Sequence, residues 1–156
     1  SAVISGITCS NDDSKKTLRN VPDKPGIAAK ILSPISEAGI DVDVIVQNVG
    51  SDKSTDFTFT VKNDLSEKAA KILKDLTEGF GGGEVELVKD VSKVSVVGVG
   101  MKSHAGVAAQ MFGALANKKI NIDMISTSEI KISVVVAKDK AEEAVIALHD
   151  EFELDK

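Results

Sequence analysis

With 156 residues, a formal net charge of −5 and a pI near 5.1, the chain carries no electrostatic footprint for nucleic acid or an anionic membrane. Hydrophobic residues make up 42% of it and aromatics 3%, with no Trp or Tyr, so its core must be built from Ile, Val, Leu and Ala. Cys9 stands alone, which excludes an intrachain disulfide and a cysteine metal site, and no run approaches the ~20 apolar residues of a membrane span; the cytosol is the expected compartment.

The chain opens on Ser1 and not Met, which reads as a processed or excised piece of something longer. Residues 2–8 (AVISGIT) form a predicted strand. A second short strand is expected over 16–21, followed by the turn residues Pro22, Asp23, Lys24, Pro25 and Gly26. A helix should begin there, because Ile27, Ile31, Ile35 and Ala38 recur at helical spacing and Gly39 supplies a stop. Pro34 removes a backbone donor inside it and predicts a bend or an early end. Residues 41–48 contain the β-branched run VDVIVQN, and in the next strand Phe57, Phe59 and Val61 alternate with Thr58 and Thr60. A helix over 65–76 turns Ala69, Ile72, Leu73 and Leu76 inward; a glycine-rich turn at 79–83 and a strand at 85–88 complete the order βαββαβ.

The same unit then begins again. Residues 26–47 (GIAAKILSPISEAGIDVDVIVQ) lie without a gap over 106–127 (GVAAQMFGALANKKINIDMIST) at a constant offset of 106 − 26 = 80. A strand over 94–99, a helix over 106–117, strands over 121–126 and 130–136 and a helix from 139 to about 151 make five elements. The sixth is missing, and an incomplete sheet would leave an unpaired edge beside a buried face. The N-terminal strand repairs it. We therefore expect an α+β protein of two interleaved modules with antiparallel sheets: residues 14–90 inserted as the first, and 1–13 plus 91–156 as the second. Modules of ~75 residues bury a modest share of their surface, so tight pairing of modules and of chains is expected.

The glycines at 98–100 and Lys102-Ser103 lack the GxxxxGK[ST] spacing of a phosphate loop. His104 and His149 are isolated and read as capping or surface residues, and no local arrangement supplies a catalytic triad. Phe57 and Phe59 could form an RNA-stacking platform of the same βαββαβ order, but the surroundings are not basic and core packing is the favoured reading. The segment VPDKPGIAAKI differs, because a strand hands over to a helix whose first N–H groups lack partners, and Gly26 permits close approach. An amino-acid ligand could place its carboxylate on those N–H groups, its ammonium on Asp23 or nearby carbonyls and a side-chain hydroxyl on Gln47; a plain turn or cap at Asp23 is the structural alternative.

At these residues the chain resembles the regulatory region of aspartate kinase, two ferredoxin-like ACT domains, through VPDKPGIAAKI (21–31), VQNVG (46–50), VGVGMKSHAGVAAQMF (97–112) and INIDMISTSEIKISV (120–134). The resemblance spans essentially the whole chain and implies feedback regulation by amino acids bound between modules of paired chains. It implies a threonine site of Asp23, Lys24, Gly26, Ile27, Ala28 and Gln47, with Asn121 and Ile122 from the second module of a partner chain. The pseudo-equivalent lysine site would use Asp41, Val42 and Asp43 of the partner chain with Met101, Ser103, Gly106, Thr127, Ser128 and Glu129. The family's catalytic domain, which binds ATP and Mg, would precede residue 1, so this chain is expected to hold no catalytic residues, metal or cofactor. Expected partners are a second copy, in a homodimer, and the catalytic domain or alpha subunit, with no nucleic acid or membrane. The alternative is a purely structural dimerisation module without ligand binding.

Overall fold

The computed structural model describes residues 3–49, 53–79, 84–99 and 104–153. Two compact units divide the chain: unit 2 is Asp12–Lys89, and unit 1 combines Ser1–Asn11 with Asp90–Lys156. Two long strands pass through both. β1 (Val3–Pro22) replaces the two strands expected over 2–8 and 16–21, and β4 (Glu84–Val99) replaces those expected over 85–88 and 94–99. The polar stretch between the expected pieces of β1 reads as a loop by composition, but its backbone is paired: Asp13, Ser14 and Lys15 stand opposite Lys62, Val61 and Thr60. Ladder hydrogen bonds do not depend on side-chain polarity, so period-2 patterning failed there.

In unit 2 the elements after β1 are α1 (Ile27–Glu37), β2 (Ile45–Val49), β3 (Ser54–Lys62), a 3-10 turn Asn63–Leu65 and α2 (Ser66–Gly79). The strand order is β2-β3-β1-β4, with β1–β3 and β2–β3 antiparallel. Arg19 reaches Asp56 on β3 at 3.4 Å and Glu86 on β4 at 3.0 Å, tying the two neighbours of β1. α1 does not end at Pro34 but runs on to Glu37, held by Ile31 and Ile35 buried against the sheet; tertiary packing overrides the missing donor. β2 starts at Ile45, later than expected; just ahead of it the Val44 N–H donates to the Thr60 hydroxyl at 3.1 Å, while the Val44 carbonyl accepts the Thr60 N–H at 3.1 Å. Between Leu18 and Val21 the β1 register shifts by one residue around Asn20, whose φ of 58° suits an Asn, and Val21 stays in the core just before the strand ends.

Leu18, Val21, Ile27, Ile31, Ile35, Phe57, Phe59, Val61, Ala69 and Leu73 form the unit 2 core. Phe57 and Phe59 are 2% and 0% exposed and meet edge to face with centroids 6.2 Å apart, so they pack inward and offer no stacking platform.

Unit 1 adds α3 (His104–Asn117), β5 (Met124–Thr127), β6 (Lys131–Ala137), a 3-10 turn Lys138–Lys140 and α4 (Ala141–Phe152). Its order is β1-β4-β6-β5, with β4–β6 and β5–β6 antiparallel; Ser5 Oγ donates to the Val97 carbonyl at 3.2 Å and Ser92 Oγ to Asn11 at 2.7 Å, joining the two halves of the unit. Val94, Val96, Val107, Met111, Leu115, Ile132, Val134, Ala144 and Leu148 fill its core. The repeat is visible in these positions. Ile27, Ile31 and Ile35 map on Val107, Met111 and Leu115 at 107 − 27 = 80, and Ala69 and Leu73 map on Ala144 and Leu148 at 144 − 69 = 75. His149 lies in the last turn of α4, at the negative end of the helix dipole.

Candidate functional site: the strand-to-helix handover

In unit 2 the handover is a tight, backbone-defined turn. After Pro22, the Asp23 N–H donates to the Lys53 carbonyl at 3.0 Å, the Lys24 N–H to Pro22 at 3.2 Å, and the Ile27 N–H to Lys24 at 3.1 Å. Gly26 takes φ 88°, a conformation that a side chain would strain, and α1 starts directly after it. The first i→i−4 helical bond is Lys30 N–H to Gly26 O at 3.0 Å, and no side chain caps the helix. The amides of Ala28 and Ala29 thus precede the helical ladder at the positive end of the dipole. A pocket of about 170 Å³ at this end of α1 is lined by Pro22, Lys24, Pro25, Ile27, Lys30 and Gly79, and not by Ala28 or Ala29. Two ammonium groups and a helix N-terminus suit it to an anionic group.

Asp23, Lys24, Gly26, Ile27 and Ala28 are therefore gathered in one turn, with Asp23, Lys24 and Gly26 exposed and Ile27 buried as the anchor. Gln47 stands exposed on edge strand β2 opposite Phe57, outside that turn. Asp41 and Asp43 are exposed in the segment leading to β2, Val42 packs on the core between them, and the Asp43 N–H donates to Thr60 at 3.1 Å.

The second copy is built differently. α3 already begins at His104, so exposed Gly106 lies within its first turn, three residues later relative to the helix start than its counterpart Gly26, which precedes α1. Ala105 favours helix where Pro25 forces the preceding residue out of it, which explains the earlier start. Met101 and Ser103 lie outside the described residues. Gln110, the counterpart of Lys30, donates to Glu151 at 3.2 Å. Asn121 is exposed and Ile122 half-buried just ahead of β5. Thr127 ends β5, and the Ser128 N–H donates to Lys131 at 2.8 Å, so Thr127, Ser128 and Glu129 share one hairpin turn. Lys30 and Lys53 are contributors that reading the sequence missed. Neither carried a usable signal: Lys30 opens a run of positions at which the two copies differ, and Lys53 lies in a loop where its φ is 64°.

One family model described as ACT domain matches residues 16–78, within unit 2, and another described as ACT domain matches residues 94–152, within unit 1. The ligand-free regulatory subunit of aspartate kinase from Thermus thermophilus is 41% identical, covers 96% of this chain and 99% of its own, and superposes with a TM-score of 0.90. The chain belongs to the family of aspartate kinase regulatory subunits. A structure of aspartokinase alpha and beta subunits includes a chain 42% identical to it, with 96% and 99% covered and a TM-score of 0.89. The aspartate kinase of Pseudomonas fluorescens is 56% identical over 153 residues, which is 98% of this chain and 37% of that protein. The regulatory chain thus spans little more than a third of the length of the curated relatives it matches, and it corresponds to their tandem, ferredoxin-like ACT portion. Among its described residues, no helix is long and apolar enough to cross a membrane and no cluster of His, Cys, Asp or Glu could hold a metal.

Proposed function

We propose that this regulatory chain senses threonine for feedback control of an aspartate kinase. The observation that carries the reading is the uncapped start of α1 behind Gly26, where the Ala28 and Ala29 amides and Lys24 offer a seat for a carboxylate. Asp23 supplies the charge for an α-ammonium, and Gln47 the hydrogen bond for a hydroxyl, completed by Asn121 and Ile122 of a second copy. Lysine is the second effector, at the site of Gly106, Thr127, Ser128 and Glu129 with Met101 and Ser103, facing Asp41, Val42 and Asp43 of that copy. Coupling requires that the effector favour one arrangement of the attached kinase over another. ATP and Mg belong to the kinase portion, as a separate alpha subunit or a fused domain, and the assembly works in the cytoplasm on aspartate.

Titration calorimetry of the chain with threonine, lysine, methionine and isoleucine tests this. Threonine is expected to give saturable heat and a raised Tm; absence of heat and of thermal shift with all four would sink the sensor reading.

The homodimer rests on its own observation. Ile45 and Ile125, related by the repeat offset of 80, are 47% and 44% exposed on β2 and β5, the terminal strands of the two unit sheets. Apolar residues on open edges favour strand pairing with another chain. Sedimentation is expected to show a dimer that Ile45→Lys with Ile125→Lys converts to monomer. A dimer that persists in that variant would place the interface elsewhere, and a dimer without amino-acid binding would favour the structural alternative.

A further inference from the structure

The two units differ at one buried place that effector binding does not use. In unit 2, Ser14 and Lys16 of β1 face α2 with 0% exposure, as does Ser66, the first residue of that helix. Lys16 Nζ donates to Ser66 Oγ at 2.7 Å, and Ser14 Oγ donates to Asn63 Oδ1 in the 3-10 turn ahead of α2. The same places in unit 1 hold Val94, Val96 and Ala141, exposed by 0%, 0% and 3%. Pairing confirms the correspondence: Lys16 and Ser14 stand opposite Phe59 and Val61, and Val96 and Val94 opposite Ile132 and Val134. One chain therefore solves the same packing problem twice, once with an ammonium and hydroxyls and once with methyl groups.

A polar solution of this kind is commonly the weaker one. Burying an ammonium removes its hydration, and an apolar replacement of similar volume is commonly neutral or stabilising. Lys16 also points at the N-terminus of α2, where the helix dipole is positive; Asp64 of the 3-10 turn and Glu67 of the first turn of α2 are exposed acids at that end. When the first turn of α2 lifts, the ammonium regains water, a gain that α4 does not have above Val96 and Ala141. Elements that move in regulation are drawn from such low-stability regions.

We propose that the Ser14–Lys16–Asn63–Ser66 cluster makes the start of α2 the release point of unit 2, a local opening that α4 lacks. Hydrogen–deuterium exchange of the ligand-free chain tests it. Peptides at the start of α2 are expected to exchange about tenfold faster than those at the start of α4. The variant Ser14→Val/Lys16→Val/Ser66→Ala, which copies unit 1, is expected to slow α2 by about tenfold and leave α4 unchanged. Equal protection of the two helices in the wild type, or unchanged α2 exchange in the variant, overturns the proposal. If the triple variant does not fold, Lys16→Met keeps the stem and removes the charge, and its α2 must also slow. The link from release to regulation rests on the effector reading: threonine should slow α2 exchange in the wild type. Fast ligand-free exchange of α2 with no response to any amino acid would sink that reading and leave the release point standing.

Discussion

Phe59→Ala is expected to destabilise unit 2 by about 3–5 kcal/mol, the range for removing a fully buried aromatic side chain. Phe59 is 0% exposed, sits opposite Lys16 in the β1–β3 ladder and packs edge to face on Phe57, an arrangement worth about 0.5–1.5 kcal/mol beyond area burial. The surrounding residues Ile31, Ile35 and Leu73 come from two different helices and from no single flexible segment, so the cavity cannot close by a local shift. Urea denaturation checks it. With two compact units, two transitions are to be fitted, and the one belonging to unit 2 should move to lower urea while that of unit 1 stays in place. A loss below about 1 kcal/mol would show that the unit 2 core repacks freely.

Asp23→Ala is expected to weaken threonine binding by about 10- to 100-fold, because a charge-assisted hydrogen bond to the ammonium contributes about 1.5–3 kcal/mol. Asp23 is exposed and its backbone is held by Lys53, so the substitution removes a carboxylate without disturbing the turn, and the Tm of the free chain should stay near the wild-type value. Gln47→Ala should lose about tenfold or less, since it removes a neutral hydrogen bond. Calorimetry separates these outcomes. Unchanged affinity in Asp23→Ala would place the threonine site elsewhere on the chain.

The handover turn was legible because it is local. Pro25 and Gly26 restrict the backbone by their own chemistry, and the apolar spacing of Ile27, Ile31 and Ile35 sets the helix that follows. The long strands were not legible. Asp13 and Ser14 have the composition of a loop, and sheet pairing, with Lys62 and Val61 of β3, keeps them extended. The lead into β2 is closed by the Thr60 hydroxyl, sixteen residues away in sequence from the Val44 amide it accepts. The earlier start of α3 could have been anticipated, because Ala105 replaces Pro25. The buried Lys16 could not: a lysine on a strand normally reads as solvent-facing, and only the position of Ser66 above it shows the ammonium enclosed.

The amino-acid sequence by itself determined the repeat, the α+β class and the residues gathered at the Gly26 turn, because hydrophobic period and Pro/Gly backbone chemistry act within a few residues of where they are written. Tertiary structure decided that β1 and β4 are continuous strands, that Ser14, Lys16 and Ser66 form a buried polar cluster, and that Lys30 joins the pocket beside α1. Each of these depends on partners brought together by sheet pairing or helix packing. Burial and hydrogen-bond partnership are properties of that juxtaposition and of no single segment.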